Sequence, residues 1–364
     1  AEGEDDFGWT IAAGDFDGDG FADLAVGVWR ENVGAAANGG AVNVLYGTTG
    51  GLTGSGSQFI TQDSPGLPGV VEPDDEVGVA LGAGDFNRDR FVDLAVGAPG
   101  EDYGAADRGG AVNLLRGSAG GLTGTGSQLL TQNSPGVPGV AELGDNFGSA
   151  VAVGDFGGDG FVDLAVGGAE DVGTAEDAGA INVLPGSAGG LTGTGSQLFT
   201  RESPGVPGSA QQNDGFGFIS LAVGDFDSDG AADLAAGVSE LSAIPGAGAL
   251  VVLPGSAGGL TGTGSQLFSQ DSPGVPDSAE FRDQFGIALA AGAFDADSFV
   301  DLAVGVLGET VDSFEFAGAV NVLPGSAGGL TGSGSQLFTQ DSPGVPDSVE
   351  FDDFFGEALV ASDP

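Results

Sequence analysis

The sequence predicts an all-β protein: a β-propeller of about five four-stranded blades, with a Ca²⁺-binding loop between strands 1 and 2 of each blade. A repeat of about 70 residues and an acidic loop that travels with it point there, and no stretch shows a sustained helical period. The segment DFDGDGFADLAVG at Asp15 returns as DFNRDRFVDLAVG at Asp85, DFGGDGFVDLAVG at Asp155, DFDSDGAADLAAG at Asp225 and AFDADSFVDLAVG at Ala293. The steps are 70, 70, 70 and 68 residues. SAGGLTGTGSQL is identical at 118–129, 187–198 and 256–267.

Each repeat reads as four short strands. In the first they are Trp9–Ala13, Ala22–Val28, Ala41–Tyr46 and Gln58–Thr61, separated by Gly- and Pro-rich turns. Four strands at a fixed period describe a propeller blade; a β-helix would need far shorter coils, and separate beads would need linkers. The expected blades are 7–74, 75–144, 145–213, 214–282 and 283–352. Phe7–Asp15 reads as a first strand, and so does Phe355–Asp363 at the other end, so five acidic loops accompany six first strands. The extra copy, within 353–364, closes the ring, pairs with another molecule in self-association, or belongs to a longer array.

Composition narrows the function. Of 364 residues, 53 are acidic and seven basic, all seven Arg, for a formal net charge of −46; His, Cys and Met are absent. Such a chain repels nucleic acid and anionic membrane surfaces. It also repels itself, which bound cations relieve. Without Cys there are no disulfides, and a secreted protein of this kind needs another staple. No apolar run is long enough to span a membrane. The missing initiator Met fits a chain whose leader has been removed, or a trimmed one. Lacking His, Cys and Lys, the chain has few nucleophile–base arrangements on offer, so a non-enzymatic role is expected.

In the first loop, carboxylates stand at positions 1, 3, 5 and 9: Asp15, Asp17, Asp19 and Asp23. Gly20 permits the sharp turn and the carbonyl of Phe21 adds an oxygen. This many hard oxygen donors suits Ca²⁺ better than Mg²⁺, and transition metals would prefer the absent His or Cys. The corresponding sets are Asp85, Asn87, Asp89, Phe91 and Asp93; Asp155, Asp159, Phe161 and Asp163; Asp225, Asp227, Asp229, Ala231 and Asp233; and Asp295, Asp297, Phe299 and Asp301. An EF-hand would require Glu at position 12, where Val26, Val96, Val166, Ala236 and Val304 stand. Loop three loses position 3 to Gly157 and loop five loses position 1 to Ala293. Affinity is therefore expected to fall from loops one and four through two and three to five, for four to five structural ions in all.

At these residues the repeats resemble FG-GAP repeats, found in the propellers of integrin α subunits and in bacterial surface proteins. The FG stands at Phe7-Gly8, Phe147-Gly148, Phe216-Gly217, Phe285-Gly286 and Phe355-Gly356, with Val77-Gly78 in its place once; the GAP is intact at Gly97-Ala98-Pro99. The resemblance implies a secreted or cell-surface protein that binds an extracellular protein or glycan. It places the calcium loops on one face and the ligand on the other, among the loops between strands two and three. Integrin propellers have seven blades, and five copies depart from that.

Those loops (29–38, 99–107, 169–177, 239–245 and 307–316) are where the copies differ most. They suggest Trp29 with Arg30 and Tyr103 with Asp102 as ligand contacts; for Trp29 the competing reading is packing against a neighbouring blade. Trp9 reads as core, and Phe16, Phe86, Phe156, Phe226 and Phe294 as packing between blades. The alternatives to an adhesion module are a lectin with repeated sugar sites, a polysaccharide-active enzyme and an amplified scaffold without a ligand.

Overall fold

The computed structural model describes residues 5–239 and 244–360. Five four-stranded antiparallel sheets are present and the described residues contain no helix, so none is long and apolar enough to cross a membrane. The strands of the first sheet are Ile11–Gly14, Asp23–Val28, Ala41–Tyr46 and Thr53–Ile60, side by side in chain order. The other four sheets keep that order. This is the all-β, four-stranded-blade fold class read from the repeat.

The chain divides into two compact units: Ala1–Val153 with Phe161–Glu170 and Asn182–Leu198, and Gly154–Gly160 with Asp171–Ile181 and Phe199–Pro364. In the first, Phe16 of the first sheet packs with Val42, Leu94 and Val96, while Phe86 of the second packs with Leu114, Leu164 and Val166. In the second, Phe226 packs with Leu250, Leu302 and Val304. Second strands such as Asp93–Ala98 (DLAVGA) are buried throughout, which explains their unbroken apolar run. The outermost strand of the first sheet, TGSGSQFI, is mostly exposed and polar.

Phe16, Phe86, Phe156 and Phe226 are fully buried, as expected of packing between blades. Phe294 is not: it stands on the last sheet, where no later sheet of described residues meets it, and is 47% exposed. Trp9 is likewise not core. It lies before the first strand rather than in it, is 60% exposed and has its ring 5.8 Å from that of Trp29.

The FG dipeptide ties successive sheets together. The Phe147 N–H donates to the Gly109 carbonyl of the preceding blade, and the Gly148 N–H donates to Gly167 of its own. The Gly148 carbonyl then lies so close to Gly97 that a Cβ there would sit 2.1 Å from it; Gly27 under Gly78 and Gly305 under Gly356 repeat the approach. The glycines of both motifs are thus required by backbone-to-backbone contact between blades. Phe355 bridges Gly318 in the same way, but no strand follows through Val360; the rest of the expected extra strand, 361–364, lies outside the described residues.

A second acidic set lines these junctions. In the first unit Gln62, Asp75 and Glu101 are buried, and Gln62 Nε2 donates to Glu101 Oε2 at 2.5 Å. In the second, Gln270, Asp283 and Glu309 are buried, with Gln270 Nε2 to Glu309 Oε2 at 2.5 Å. Burial pushes Asp75 up to about 7, and Glu101 adds to it. Burial pushes Glu309 up to about 8, with Asp277 and Asp283 adding like charge, and Asp283 up to about 6. Each folded value lies above the unfolded one, so the folded chain holds more protons across the interval. The stabilisation is complete below about pH 4 and is lost as pH rises through 6 to 8. In chelator at constant salt, the urea midpoint should fall between pH 4.5 and 8, and Glu309→Gln should flatten that fall. Phe226→Ala should lower stability by about 3–5 kcal/mol, and the exposed Phe294→Ala by no more than about 0.5 kcal/mol in urea titrations.

Candidate metal centre

Each acidic loop is the connection of a strand 1–strand 2 hairpin in a fixed register. Gly14 pairs with Asp23, Gly84 with Asp93, Gly224 with Asp233 and Gly292 with Asp301. Position 9 is therefore the first residue of a buried strand. Asp23 Oδ2 accepts the Phe16 N–H at 2.8 Å and its Oδ1 the Gly47 N–H at 2.8 Å. Asp233 accepts from Phe226 and Gly255, and Asp301 from Phe294 and Gly325. These aspartates anchor the loop to the third strand's end. Burial still outweighs the bonds at Asp233 and pushes it up to about 6.

Positions 1, 3 and 5 converge in loops one and four. Asp15, Asp17 and Asp19 bring one carboxylate oxygen each within 4.8 Å of one another, and so do Asp225, Asp227 and Asp229. The backbone folds around them identically: Asp15 accepts the N–H groups of Asp19 and Gly20, and Asp225 those of Asp229 and Gly230. Burial raises the Asp227 pKa, and the charges of Asp229 and Asp225 raise it further, as uncompensated like charges must. A cation reverses that balance. The donor set, carboxylates with an adjacent backbone carbonyl at Phe21 or Ala231, fits a hard divalent cation.

The fifth loop gathers Asp295, Asp297 and Asp301 instead. With Ala293 at position 1 and no left-handed residue at positions 4 or 6, it turns differently from the first, where Gly18 and Gly20 have φ of 72° and 90°. Position 9 joins the group in place of position 1, so the loop expected to be weakest retains three converging carboxylates.

Loops two and three form no such group among the described residues. In loop two, Asn87 Nδ2 donates to Asp89 Oδ2 at 2.9 Å, and Arg116 donates to Asp93 Oδ2 at 2.9 Å. Arg116 occupies the place of Tyr46 in the first repeat and of Pro185 in the third. Its guanidinium also reaches the carbonyls of Gly126 and Gly189. The chain itself thus supplies positive charge to the buried Asp93. This partner was missed in the sequence because Arg116 lies 23 residues beyond the loop; the signal was the lone Arg where other repeats carry Tyr or Pro. In loop three, Asp155 accepts the N–H groups of Asp159 and Gly160, and Asp163 accepts that of Gly186.

Four of the loops between strands two and three differ in sequence yet share one bridged turn. Antiparallel bridges Val33–Ala36, Tyr103–Ala106, Val172–Ala175 and Val311–Phe314 recur. Asp102 accepts the Arg108 N–H at 2.9 Å, as Asn32 accepts that of Asn38, so Asp102 is a loop staple. Trp29 is half-buried, its face covered by Arg30 at 4.2 Å, and Arg30 pairs with Asp6 at 3.1 Å. Tyr103 is 39% exposed. Of the fourth such loop, 240–243 lie outside the described residues.

Residues 7–45 and 77–114 match the FG-GAP repeat, so the chain carries FG-GAP repeats in strand-rich blades. Among similar proteins, integrin alpha-E of Mus musculus is 41% identical over 106 residues, 28% of this chain and 8% of that protein. Integrin alpha-5 of Xenopus laevis is 30% identical over 239 residues, 64% of this chain and 20% of that protein. The chain therefore spans a fifth or less of the length of these integrin subunits. The crystal structure of rhamnogalacturonan lyase YesW aligns over 90% of this chain and 54% of that one, at 14% identity and a TM-score of 0.47, a likeness that carries no argument about activity.

The Arg116–Asp93 pair is nearly buried, with side chains 11% and 0% exposed. Arg116→Ala leaves a buried carboxylate uncompensated and should destabilise the protein by about 3–5 kcal/mol, read from urea unfolding in chelator.

Proposed function

We propose that this chain is a calcium-stabilised, non-enzymatic binding module of an extracellular or cell-surface protein, recognising a protein or glycan. The observation that carries the reading is the set of converging carboxylates at Asp15–Asp19, Asp225–Asp229 and Asp295–Asp301, the first of them within a segment that matches the FG-GAP repeat. Similarity to integrin α subunits supports ligand binding as the role. Ca²⁺ takes the place of disulfides in a chain with no Cys and a formal charge of −46. The ligand is received by the loops between strands two and three, four of which share a bridged turn and vary in side chains. Tyr103 is a contact there, and Asp102 holds its loop. Trp29 contributes through the Trp9–Trp29–Arg30 stack rather than as an open platform.

Extracellular modules bind Ca²⁺ with Kd of roughly 10⁻⁴–10⁻³ M. At about ten times Kd each site adds about 1.4 kcal/mol to stability. Calorimetric titration should show Ca²⁺ uptake with a rise in melting temperature, and Asp17→Ala and Asp227→Ala should each remove one ion. Calcium-dependent retention on immobilised extracellular proteins or glycans, with no turnover of acidic polysaccharides, is the expected behaviour; turnover would overturn the non-enzymatic reading.

A further inference from the structure

We propose that the blade junctions hold a second class of divalent-cation site, separate from the acidic loops, formed by a buried glutamine amide oxygen and two inward carboxylates. The sites are Gln62 with Asp75 and Glu101, Gln132 with Asp145 and Glu170, and Gln270 with Asp283 and Glu309. Each set lies within one of the two units.

The amide oxygens point to a ligand. Gln62, Gln132 and Gln270 are 2%, 3% and 1% exposed. Each gives Nε2 to the glutamate of its set, while its Oε1, on the same amide, is buried and accepts no hydrogen bond among the described residues. A buried acceptor without a donor is rare, and it recurs here four times at one position of the repeat, the fourth being Gln340 on the last sheet. The carboxylates beside it are acceptors too. Asp75 feels the charge of Glu101, and Glu309 that of Asp283. The backbone closes each set: the Gly100 N–H donates to the Asp75 carbonyl and that of Gly308 to Asp283. Each open oxygen thus belongs to an amide whose nitrogen already meets a buried carboxylate, and a hard divalent cation takes oxygen ligands.

The remaining junction is a natural control. There Arg201 stands at the glutamine position, 3% exposed, and its guanidinium donates to Asp214 Oδ2 at 3.0 Å. Asp214 occupies the place of Asp75, Asp145 and Asp283. The arginine reaches further than the amide: a Cβ on Gly208 would lie 1.9 Å from Arg201 Nη2, whereas one on Gly69 would lie 3.2 Å from Gln62 Nε2. Where the chain supplies a cation of its own the glutamine is gone, and where the glutamine remains its oxygen is open.

The test exchanges the two solutions. Gln62→Arg, Gln132→Arg and Gln270→Arg place a guanidinium in each site, and the full-length triple variant should bind three fewer Ca²⁺ ions than the parent by equilibrium dialysis. Arg201→Gln, folded in Ca²⁺, should bind one more. The count is a difference between parent and variant, so it reads the junctions whether or not the acidic loops bind Ca²⁺. Unchanged counts in the folded variants overturn the proposal. If the variants do not fold, the parent crystallised in CaCl₂ decides: an ion among Gln270 Oε1, Asp283 and Glu309 supports the site, and water or no density there overturns it.

Discussion

Buried negative charge is the constraint around which this molecule is organised. Every blade begins its second strand with an aspartate whose carboxylate sits in the apolar interior, and the junctions bury more. Desolvating a carboxylate is expensive unless something answers the charge. The molecule uses several answers. Backbone N–H groups satisfy Asp23, Asp233 and Asp301. Arginine pairs with Asp93 and Asp214. Converging oxygens in three loops, suited to a cation, are the third.

The answers are arranged by the way sheets are tied to one another. The FG dipeptide spans two blades through backbone hydrogen bonds, and the GAP glycine opposite must lack a side chain for the carbonyl to approach. That contact sets the separation of neighbouring sheets. It thereby sets how deeply Phe16, Phe86 and Phe226 insert and how closely the Asp and Glu of one junction face each other. The hairpin register then delivers the acidic loop to the same end of every sheet. Divergence is greatest in the loops between strands two and three, four of which are closed by a bridge, so side chains change there without moving the scaffold. This is how binding loops are carried on rigid elements elsewhere.

Arg116 and Arg201 show how a repeat protein substitutes one counter-charge for another. Both stand where other repeats carry an uncharged residue, and both contact a carboxylate that recurs in every copy. With only seven arginines in the chain, their placement inside the protein beside buried acids is a strong choice of location.

Much of this was legible in the linear sequence. The repeat, the four strands per unit, the loop between the first two and the interior Phe residues follow from periodicity, because a period of two with turn residues at fixed intervals leaves a strand little alternative. The acid-rich loops were legible for the same reason: carboxylates spaced within nine residues are local. What the sequence did not show is that Asp301 joins Asp295 and Asp297 in the fifth loop, since the turn conformation at Ala293–Asp301 changes which three carboxylates meet. Nor could it place Trp9 outside the core, or find Arg116 beside Asp93 and Gln270 beside Glu309. Those partners are 23 and 39 residues apart along the chain. They meet because strand pairing and the FG contact bring distant segments together. Repetition along the chain determined the blade and its loop; only the packing of blade on blade decided which buried acids have a partner and which are left facing an open oxygen.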